Sequence, residues 1–515
     1  EGGLTPKTPK SARKIVLEHT NANPNKALHI GHLRSACLGN ACEKILEFLG
    51  NNVETQYYVD DTGVQVATFY LGISELGVGQ KENEKYDHYA GRAYVKAAQA
   101  IEKDKKILKI REKILKTLDN QEDKKIADEI ITKVEKVLKA NLETVGEFGI
   151  DYDLLVWESE IIKNKLWEKT RDILSGLPVY YKANSGKNKG CWVIKTSDGK
   201  EKVLIKSDQT ITYTGKDIAY HLWKYAKLSE GFKYAKYPVS TQKKDLWTTC
   251  EHGKKNDIFG KADRVVNFID ARQSHLQKVI RECLKSMNFS KEAESFHHVG
   301  YGVVSLSSKT ARELGLEDDK EKNQYAMSGR RGLIVLVDDL LNLLEKKIRQ
   351  KHAESPYPRK IAASALKYYL LKHNTFSDIV FDYEQALDIY GNSGPYLQYT
   401  CARMKSVLKK AKSPNFSRKD FTGITLCPEE TAVIRWLIHF SEIIKEAGGQ
   451  FAPNLLSNYL FDLAKRFNSF YNRKPILKSR EGKMTSRFRV FLTKITLETL
   501  SRGLNLIGIE VLDKM

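Results

Sequence analysis

Two histidines, spaced three apart in His29-Ile30-Gly31-His32, form the most informative chemical pattern in this chain. On a helical turn the two imidazoles share one face, where their N–H groups can hold phosphate oxygens as negative charge develops. Gly31 leaves no side chain between them, so a planar ligand can approach the backbone. The start of a helix adds a positive field that favours phosphate. A helix with two histidines by coincidence is the alternative, and the tetrapeptide alone does not exclude it.

The elements around the histidines favour a binding function. Residues 14–19 are typical of a strand, 28–49 have helical spacing, and 53–59 are typical of a second strand. A strand, a helix and another strand in this order predict a parallel α/β sheet. Nucleotides bind such sheets at the carboxyl ends of the strands, which is where the histidines are expected to lie.

The rest of the chain changes character twice. Residues 86–147 repeat apolar positions at helical spacing among Lys and Glu, which predicts amphipathic helices inserted between strands. Strand-like runs return at 191–194, 203–205, 264–269 and 300–306, and 273–287 has helical spacing. Beyond Pro358 the pattern is nearly all helical, with one of the helices over 429–447, and predicts a separate C-terminal bundle.

Composition limits the function classes. Of 515 residues, 85 are Lys or Arg and 64 are Asp or Glu, a formal net charge of +21. This charge favours a polyanionic partner such as nucleic acid, although a lysine-rich proteome would produce it too. The seven cysteines are scattered without a CxxC pair, so we expect neither a structural metal nor a disulfide framework, and a cytoplasmic location. The sequence has no apolar run long enough for a membrane span and no secretory signal.

Several segments together resemble one family. They are NPNKALHIGHLRS at 23–35, YYVDDTGVQVA at 57–67, VLIKSDQTITYTGKDIAYH at 203–221, AMSGRRG at 326–332, NSGPYLQYTCAR at 392–403 and NLIGIEVLDKM at 505–515. The first is similar to the signature opening of class I aminoacyl-tRNA synthetases, and the ordered set resembles the arginyl-tRNA synthetases over nearly the whole chain.

The resemblance implies a fold and a reaction. It implies a Rossmann-type parallel-sheet catalytic domain split between 1–85 and 196–300, with a connective insertion at 86–195. A signature-loop and stem-contact region at 301–357 and a helical anticodon-binding domain at 358–515 would follow. The implied reaction joins L-arginine to tRNA(Arg) through arginyl-adenylate, with ATP and Mg²⁺, in an enzyme expected to be a monomer. His29, Gly31 and His32 would then contact ATP.

Charge supports an arginine site, since a guanidinium prefers planar carboxylate acceptors. At the positions that match the family, Glu18 and Asp217 fall on the guanidinium and Tyr213 adds a phenol oxygen. Asn23 would hold the α-amino and carboxylate ends, and Gln273 would face the α-amino group. Asp217 could instead cap a helix and Tyr213 could pack in the core, whereas a carboxylate that ends an apolar strand, as Glu18 does, is costly unless paired.

The second class I signature, a KMSKS-type loop, is degenerate in this chain. Its best match is residues 326–332, where Ala326 and Gly329 replace both lysines. By resemblance, Met327, Ser328 and Arg330 would contact ATP, and Lys26, just before the histidines, would supply the missing catalytic lysine. A basic surface turn is the alternative. Residues 483–487, KMTSR, look more like the signature, but they follow a long helical stretch, so we expect a basic loop between helices there.

The C-terminal helices carry an aromatic and basic face. Tyr396, Tyr399 and Arg403 follow helical spacing and suit stacking on unpaired bases. The resemblance implies that Tyr399, Arg403 and Met515 contact the anticodon, while core packing is the stronger interpretation for Tyr396.

Two features leave alternatives open. The histidine signature begins at residue 29, so the N-terminal domain with which relatives bind the tRNA elbow is expected to be absent or removed. The lysine-free loop at 326–332 is compatible with a non-catalytic paralogue that only binds RNA. Another class I synthetase, such as a cysteinyl, glutaminyl or lysyl enzyme, is the second alternative.

Overall fold

The fold was analysed in a computed structural model that describes residues 12–120, 123–239, 241–316, 324–325, 335–411, 421 and 423–515. Within these ranges the strands are β1 Lys14–Glu18, β2 Asn52–Val59, β3 Leu154–Trp157, β4 Tyr180–Lys182, β5 Trp192–Lys195, β6 Glu201–Ile205, β7 Lys233–Lys236, β8 Trp247–Thr249, β9 Lys254–Lys255, β10 Arg264–Asp270, β11 Phe296–Tyr301, β12 Val304–Ser307, β13 Gln324–Tyr325 and β14 Ile379–Phe381.

The α-helices of the same ranges fall into an N-terminal and a C-terminal group. The first comprises α1 Ile30–Phe48, α2 Val64–Ser74, α3 Tyr86–Lys103, α4 Lys105–Asn120, α5 Lys124–Gly146, α6 Glu158–Lys163, α7 Leu166–Ser175, α8 Tyr213–Lys224, α9 Ser274–Ser286, α10 Ser290–Ser295 and α11 Ser308–Glu313. The second comprises α12 Val337–Lys351, α13 Pro358–Leu371, α14 Tyr383–Leu387, α15 Gly394–Lys410, α16 Pro428–Leu437, α17 Phe440–Gln450, α18 Pro453–Arg473 and α19 Lys483–Leu506. None of these described helices is long and apolar enough to cross a membrane.

One large sheet organises the N-terminal half, in the strand order β11-β10-β1-β2-β3-β8-β7-β9. The six strands from β11 to β8 pair in parallel, whereas β7 pairs antiparallel with both β8 and β9. β1 lies in the middle of the parallel part, where Ile15 is opposite Arg264 of β10 and Val53 of β2. Since such a strand is covered on both faces, its apolar run is buried throughout. The predicted parallel α/β sheet is confirmed.

The segment between β2 and β3 is helical, as its spacing predicts. α2 and α3 pack through a small apolar cluster that includes Phe69, Tyr89 and Val137 of α5. A separate antiparallel sheet, β4-β5-β6, follows α7. However, β3 lies inside residues 86–195, the range that the sequence assigned to the insertion, although it pairs with β2 and β8 of the main sheet. Strand pairing therefore does not follow that predicted boundary.

The C-terminal half is a helical bundle that shares its core with the large sheet. One continuous apolar cluster extends from Ile15 of β1 through Leu38 of α1 to Leu366 of α13 and Leu500 of α19. α1 contacts α13, α17 and α19, so the helix that begins with the histidine signature also anchors the bundle. The large sheet and the bundle are consequently packed as one body around α1.

In the nearly all-helical C-terminal half, β14 is a short strand whose apolar β-branched run pairs in parallel with β12. Two local predictions for this half were wrong. The helix predicted over 429–447 is divided into α16 and α17. Residues 483–487 form the first turn of α19 and not a loop, with Gly482 at a φ of 111° just before it. A glycine takes this φ without strain, which lets the chain turn directly into the helix.

Candidate active site

A cavity of about 600 Å³ opens at the carboxyl ends of β1, β2, β3 and β10. This is the sheet edge at which parallel α/β proteins bind nucleotides. The residues assigned from sequence to arginine, to catalysis or to the first ATP signature all line it: Glu18, Asn23, Lys26, His29, Gly31, His32, Tyr213, Asp217 and Gln273. They come from separate parts of the chain, and only folding brings them to one cavity.

The two histidines meet at the start of α1. His29 is the N-cap residue, and its imidazole stacks on that of His32 with ring centroids 3.5 Å apart. The backbone N–H of His32 donates to Nδ1 of His29 at 3.3 Å, and the backbone N–H of His29 donates to Nδ1 of His32 at 3.4 Å. Because each Nδ1 accepts a hydrogen bond, each neutral ring carries its proton on Nε2. Both rings therefore cap the start of the helix as acceptors through Nδ1 and keep Nε2–H as a donor.

Both imidazoles are held in the neutral form. Burial, assisted by the charge of Lys26, lowers the pKa of His29 to about 4. Burial and the neighbouring His29 lower the pKa of His32 well below its usual range. The site thus offers a developing phosphate charge two fixed N–H dipoles, and no proton has to be lost first.

Lys26 reaches the same cavity from the loop before α1. Its ammonium lies 5.1 Å from the ring centroid of Tyr94 on α3, and its Cβ would be 3.3 Å from a Cβ placed on Gly91. Burial lowers the pKa of Lys26. The loop is consequently packed against the helical insertion, which limits where the ammonium can go.

The predicted signature loop at 326–332 lies outside the described residues, so the positions of Met327, Ser328 and Arg330 are not assigned. The residues that follow this loop, from Val335 onward, form backbone hydrogen bonds with the residues around the histidine signature. The N–H of Ile30 donates to the carbonyl of Val335 at 3.2 Å, and the N–H of Val337 donates to the carbonyl of Leu28 at 2.9 Å. These bonds tie the start of α12 to the start of α1.

Three carboxylates border the far side of the cavity, and they differ in their partners. Among the described residues the carboxylate of Asp217 has no hydrogen-bond or ion-pair partner. Burial, together with the charges of Glu158 and Glu18, raises the pKa of Asp217 to about 8. A cation at this position would relieve all of these effects. Asp217 is therefore the carboxylate most in need of a positive ligand.

Glu18 already has a cation of its own. Its Oε2 forms a buried ion pair with Lys224 at the end of α8, and its Oε1 accepts a hydrogen bond from Asn21 at 2.5 Å. The ammonium of Lys224 also lies 4.0 Å from the ring centroid of Tyr220. The sequence identified Glu18 as costly unless paired, but it did not identify this partner.

Glu158 is a third carboxylate, and sequence reasoning missed it. It begins α6 directly after β3, and its Oε1 accepts hydrogen bonds from Thr62 and from Lys216, both at 2.6 Å. The hydroxyl of Tyr58 donates to Oε2 at 3.0 Å. A signal was present, since Glu158 ends the apolar run LLVW much as Glu18 ends KIVL. Assigning 86–195 to the insertion concealed it.

The other residues predicted to bind the substrate arginine, Asn23, Gln273 and Tyr213, also line the cavity. Asn23 donates from Nδ2 to Oδ2 of Asp60 at 2.9 Å. Burial and the charge of Glu158 raise the pKa of Asp60 to about 7. Gln273 ends a short 3-10 turn after β10 and is exposed, and Tyr213 opens α8 with 53% of its surface exposed. Neither side chain is core packing, so the core interpretation of Tyr213 was wrong.

Two of the predicted anticodon residues, Tyr399 and Arg403, lie on α15. The guanidinium of Arg403 lies 4.8 Å from the ring centroid of Tyr399 and 4.9 Å from that of Tyr471. Tyr399 and Met515 also line one cavity of about 290 Å³. Tyr396 is buried and its hydroxyl accepts a hydrogen bond from Asn468 at 2.9 Å, which is the core role expected for it.

Comparison with known proteins finds two family models that match this chain. Residues 2–250 match the model of the class I (R) tRNA synthetase catalytic domain, and 397–515 match that of the DALR anticodon binding domain. The arginine–tRNA ligase of Pyrococcus furiosus is 35% identical, over 98% of this chain and 81% of the relative. The chain belongs to the arginyl-tRNA synthetases. The ligase of Thermus thermophilus is 34% identical to this synthetase, over 99% of it and 85% of the relative.

A solved structure of the same family has the same fold. The arginyl-tRNA synthetase of Thermus thermophilus superimposes with a TM-score of 0.86 at 31% identity, covering all of this synthetase and 85% of that chain. The resemblance stated from sequence is confirmed at the level of the family and of the fold, with a class I catalytic domain and a C-terminal helical domain.

Within the described residues one group has the spacing of a metal site, namely Asp87, His88 and Asp338. It lies apart from the lining of the large cavity and already contains a cation. The ammonium of Lys85 is 3.0 Å from Asp338 and 3.5 Å from Asp87. Because an internal ammonium neutralises these carboxylates, the group connects α3 to α12 without requiring an ion. The sequence-based expectation of no structural metal stays a prediction.

Proposed function

We propose that this synthetase joins L-arginine to tRNA(Arg) with ATP as the energy source, through an arginyl-adenylate intermediate. The observation that carries the proposal is the unpaired carboxylate of Asp217, in the cavity that also holds the paired imidazoles of His29 and His32. A cationic amino acid and a polyphosphate are the two ligands that these groups fit together.

The guanidinium would bind between Asp217 and Glu158, with the phenol of Tyr213 as a further acceptor. Glu18 is assigned a supporting role in this arrangement, because Lys224 already neutralises it. Its remaining negative field still favours a cation nearby. At the other end, Asn23 and Asp60 would hold the α-ammonium group, and Gln273 would contact it from the 3-10 turn after β10.

ATP would lie along the start of α1, with the purine over Gly31 and the α-phosphate against His29 and His32. The carboxylate of arginine attacks the α-phosphorus, a new C–O–P bond forms, and pyrophosphate leaves with its electron pair. Mg²⁺ would enter as part of the ATP substrate. Lys26 would stabilise the charge on the leaving group, and Met327, Ser328 and Arg330 remain the predicted contacts of the second signature. Catalysis in this scheme comes from positioning and from fixed dipoles.

The tRNA would place its 3′ end in the large cavity and its anticodon on the C-terminal bundle. Tyr399, Arg403 and Met515 support this assignment, because the phenol and guanidinium form a stacking surface beside a cavity of about 290 Å³. We further propose that the synthetase acts as a cytoplasmic monomer. We also propose that the catalytic domain comprises residues 1–85 and 196–300, with the insertion at 86–195. The signature-loop and stem-contact region would be 301–357, and the anticodon-binding domain 358–515.

The test is arginine-dependent aminoacylation of tRNA(Arg) transcripts, together with ATP–pyrophosphate exchange in the presence of tRNA. Cysteine, glutamine and lysine serve as competing substrates. Exchange driven by one of these amino acids and not by arginine would contradict the proposal. Loss of charging in Lys26→Ala, but not in the matched Lys103→Ala on the exposed part of α3, would exclude a paralogue that only binds RNA.

A further inference from the structure

A second cavity, called here the basic cavity, lies where the catalytic sheet, the insertion and the C-terminal bundle meet. It has a volume of about 320 Å³ and is bordered by Lys44 of α1, Phe148 after α5, Lys243 before β8, Lys367 of α13 and Gly508 after α19. Lys44 is fifteen positions after His29 in the sequence, which corresponds to about 22 Å along α1. The basic cavity is therefore separate from the active site.

The two carboxylates that border the basic cavity are already neutralised. Glu147 holds the guanidinium of Arg359 through two hydrogen bonds of 2.5 and 2.8 Å. Glu510 pairs with Lys360 at 2.9 Å. Neither carboxylate is therefore paired with one of the other three lysines of the lining.

Lys367 is the most buried of those lysines, with 1% of its surface exposed. Its ammonium donates to Oδ1 of Asn40 at 2.8 Å and to the carbonyl of Phe148 at 2.9 Å, so both acceptors are neutral. Burial lowers the pKa of Lys367 to about 8, which still leaves it mostly protonated at neutral pH. The charges of Glu43 and Asp151 act on it without forming an ion pair. A buried ammonium without a direct ion-pair partner is costly, and an anion in the cavity would lower that cost.

Lys44 and Lys243 add two more cations. Within the described part of the chain neither forms an ion pair, since the nearby carboxylates of Glu43 and Asp153 lie 2.6 and 3.7 Å from the ammonium of Lys244. Asp151 accepts only the backbone N–H of Lys243, at 3.4 Å. Three lysines without an ion-pair partner among the described residues thus border one cavity.

Neutral donors complete the lining. The hydroxyl oxygen of Ser364 accepts a hydrogen bond from Nε2 of Gln398 at 2.9 Å, which leaves its own proton free to donate into the cavity.

Gly508 has a φ of 70°, and a Cβ at this position would lie 2.2 Å from the ammonium of Lys367. Any side chain there would displace the lysine, so the backbone is shaped around it.

We infer that the basic cavity binds a phosphate group, held by Lys44, Lys243 and Lys367. Its size admits one tetrahedral oxyanion with several donors around it. The phosphate can be part of an RNA backbone or a free phosphate, and the same chemistry recognises both. The inference does not depend on which amino acid the active site takes.

The test uses the full chain with arginine and a non-hydrolysable ATP analogue saturating the active site. Calorimetry measures the binding of inorganic phosphate against a chloride titration of equal ionic strength. The variant is the double substitution Lys44→Ala and Lys243→Ala, and the matched control is Lys109→Ala with Lys113→Ala on the exposed helix α4. We expect the first pair to weaken phosphate binding by at least about tenfold and the control pair to leave it unchanged.

A second arm identifies the source of the phosphate. The affinity for tRNA is measured over a series of salt concentrations, and one lost phosphate contact lowers the slope of log K against log salt by about one. A lower slope in the cavity variant than in the control variant indicates an RNA phosphate. An unchanged slope with weakened phosphate binding indicates a free phosphate. If the cavity variant matches the control in both arms, the inference is wrong.

Discussion

The active site and the basic cavity are both polar cavities against α1, but the groups left without an ion-pair partner among the described residues have charged forms of opposite sign. At the carboxylate-lined side of the active site Lys224 is paired with Glu18, and the carboxylate of Asp217 is left over. In the basic cavity the carboxylates have partners, as Glu147 has in Arg359, and the ammonium of Lys367 is left over. Since a buried unpaired charge is costly, the sign of the remaining charge predicts the sign of the ligand.

The comparison also distinguishes charged groups that are available to bind a ligand from charged groups that are paired within the protein. Glu18 and Asp217 border the same cavity, yet Glu18 is satisfied within the protein and Asp217 is not. Substitutions on the two sides of this comparison are expected to be harmful for different reasons. Loss of Asp217 removes a contact to the ligand. Loss of Lys224, the partner of Glu18, leaves the carboxylate of Glu18 buried and unpaired.

The largest effect is expected for Asp217→Asn. The amide keeps the shape but loses the charge that faces the guanidinium, so kcat/KM for arginine should fall about 10³-fold. Arginine-dependent ATP–pyrophosphate exchange measures this fall. Asp245→Asn, which changes an exposed carboxylate outside the cavity, is the control. An equal fall in both variants would show that Asp217 is not a specific arginine contact.

Lys224→Met is expected to lower the free energy of unfolding by about 3 kcal/mol, because it leaves the Glu18 carboxylate buried and unpaired. Denaturant unfolding gives this value. The control is Lys227→Met, whose pair with Glu292 is partly exposed and should contribute less than about 1 kcal/mol. The double variant Glu18→Leu with Lys224→Met should recover part of the loss. If it does not, the pair is not what stabilises this wall of the cavity.

His32→Ala tests the phosphate end of the active site. Removing one fixed N–H donor should lower kcat about 10²-fold and change the KM for arginine little, because arginine binds at the other end. Steady-state exchange kinetics separate the two constants. His252→Ala, a largely exposed histidine, is the control. A rise in the KM for arginine with unchanged kcat would contradict the assignment.

The smallest effect concerns pH. Burial and the neighbouring carboxylates raise the pKa of Asp217 to about 8, so in the free protein it is mostly protonated below that pH. The guanidinium binds the charged form, so arginine affinity should increase with pH, by up to about tenfold per pH unit below about 8, and level off above it. Calorimetry over this range measures the slope, and Asp217→Asn should abolish it. A wild-type affinity that does not depend on pH would exclude Asp217 as the titrating partner.

Much of the site could be predicted from local patterns. The histidine signature, Glu18 at the end of an apolar strand and Lys26 before α1 are near one another in the chain, and strand-to-helix geometry alone places them at one sheet edge. Asp217, Tyr213 and Gln273 could be found only through the family resemblance, since they lie far downstream in the chain.

By itself the sequence determined the family, the parallel sheet and nine of the residues that line the active site, because these depend on apolar periodicity and short ordered motifs. Only the tertiary structure decided which charges are satisfied. It paired Glu18 with Lys224 and Glu158 with Lys216, and within the described ranges it left Asp217 and Lys367 without an ion-pair partner. The physical reason is that pairing depends on distances of a few ångströms between residues far apart in sequence, which no local pattern contains.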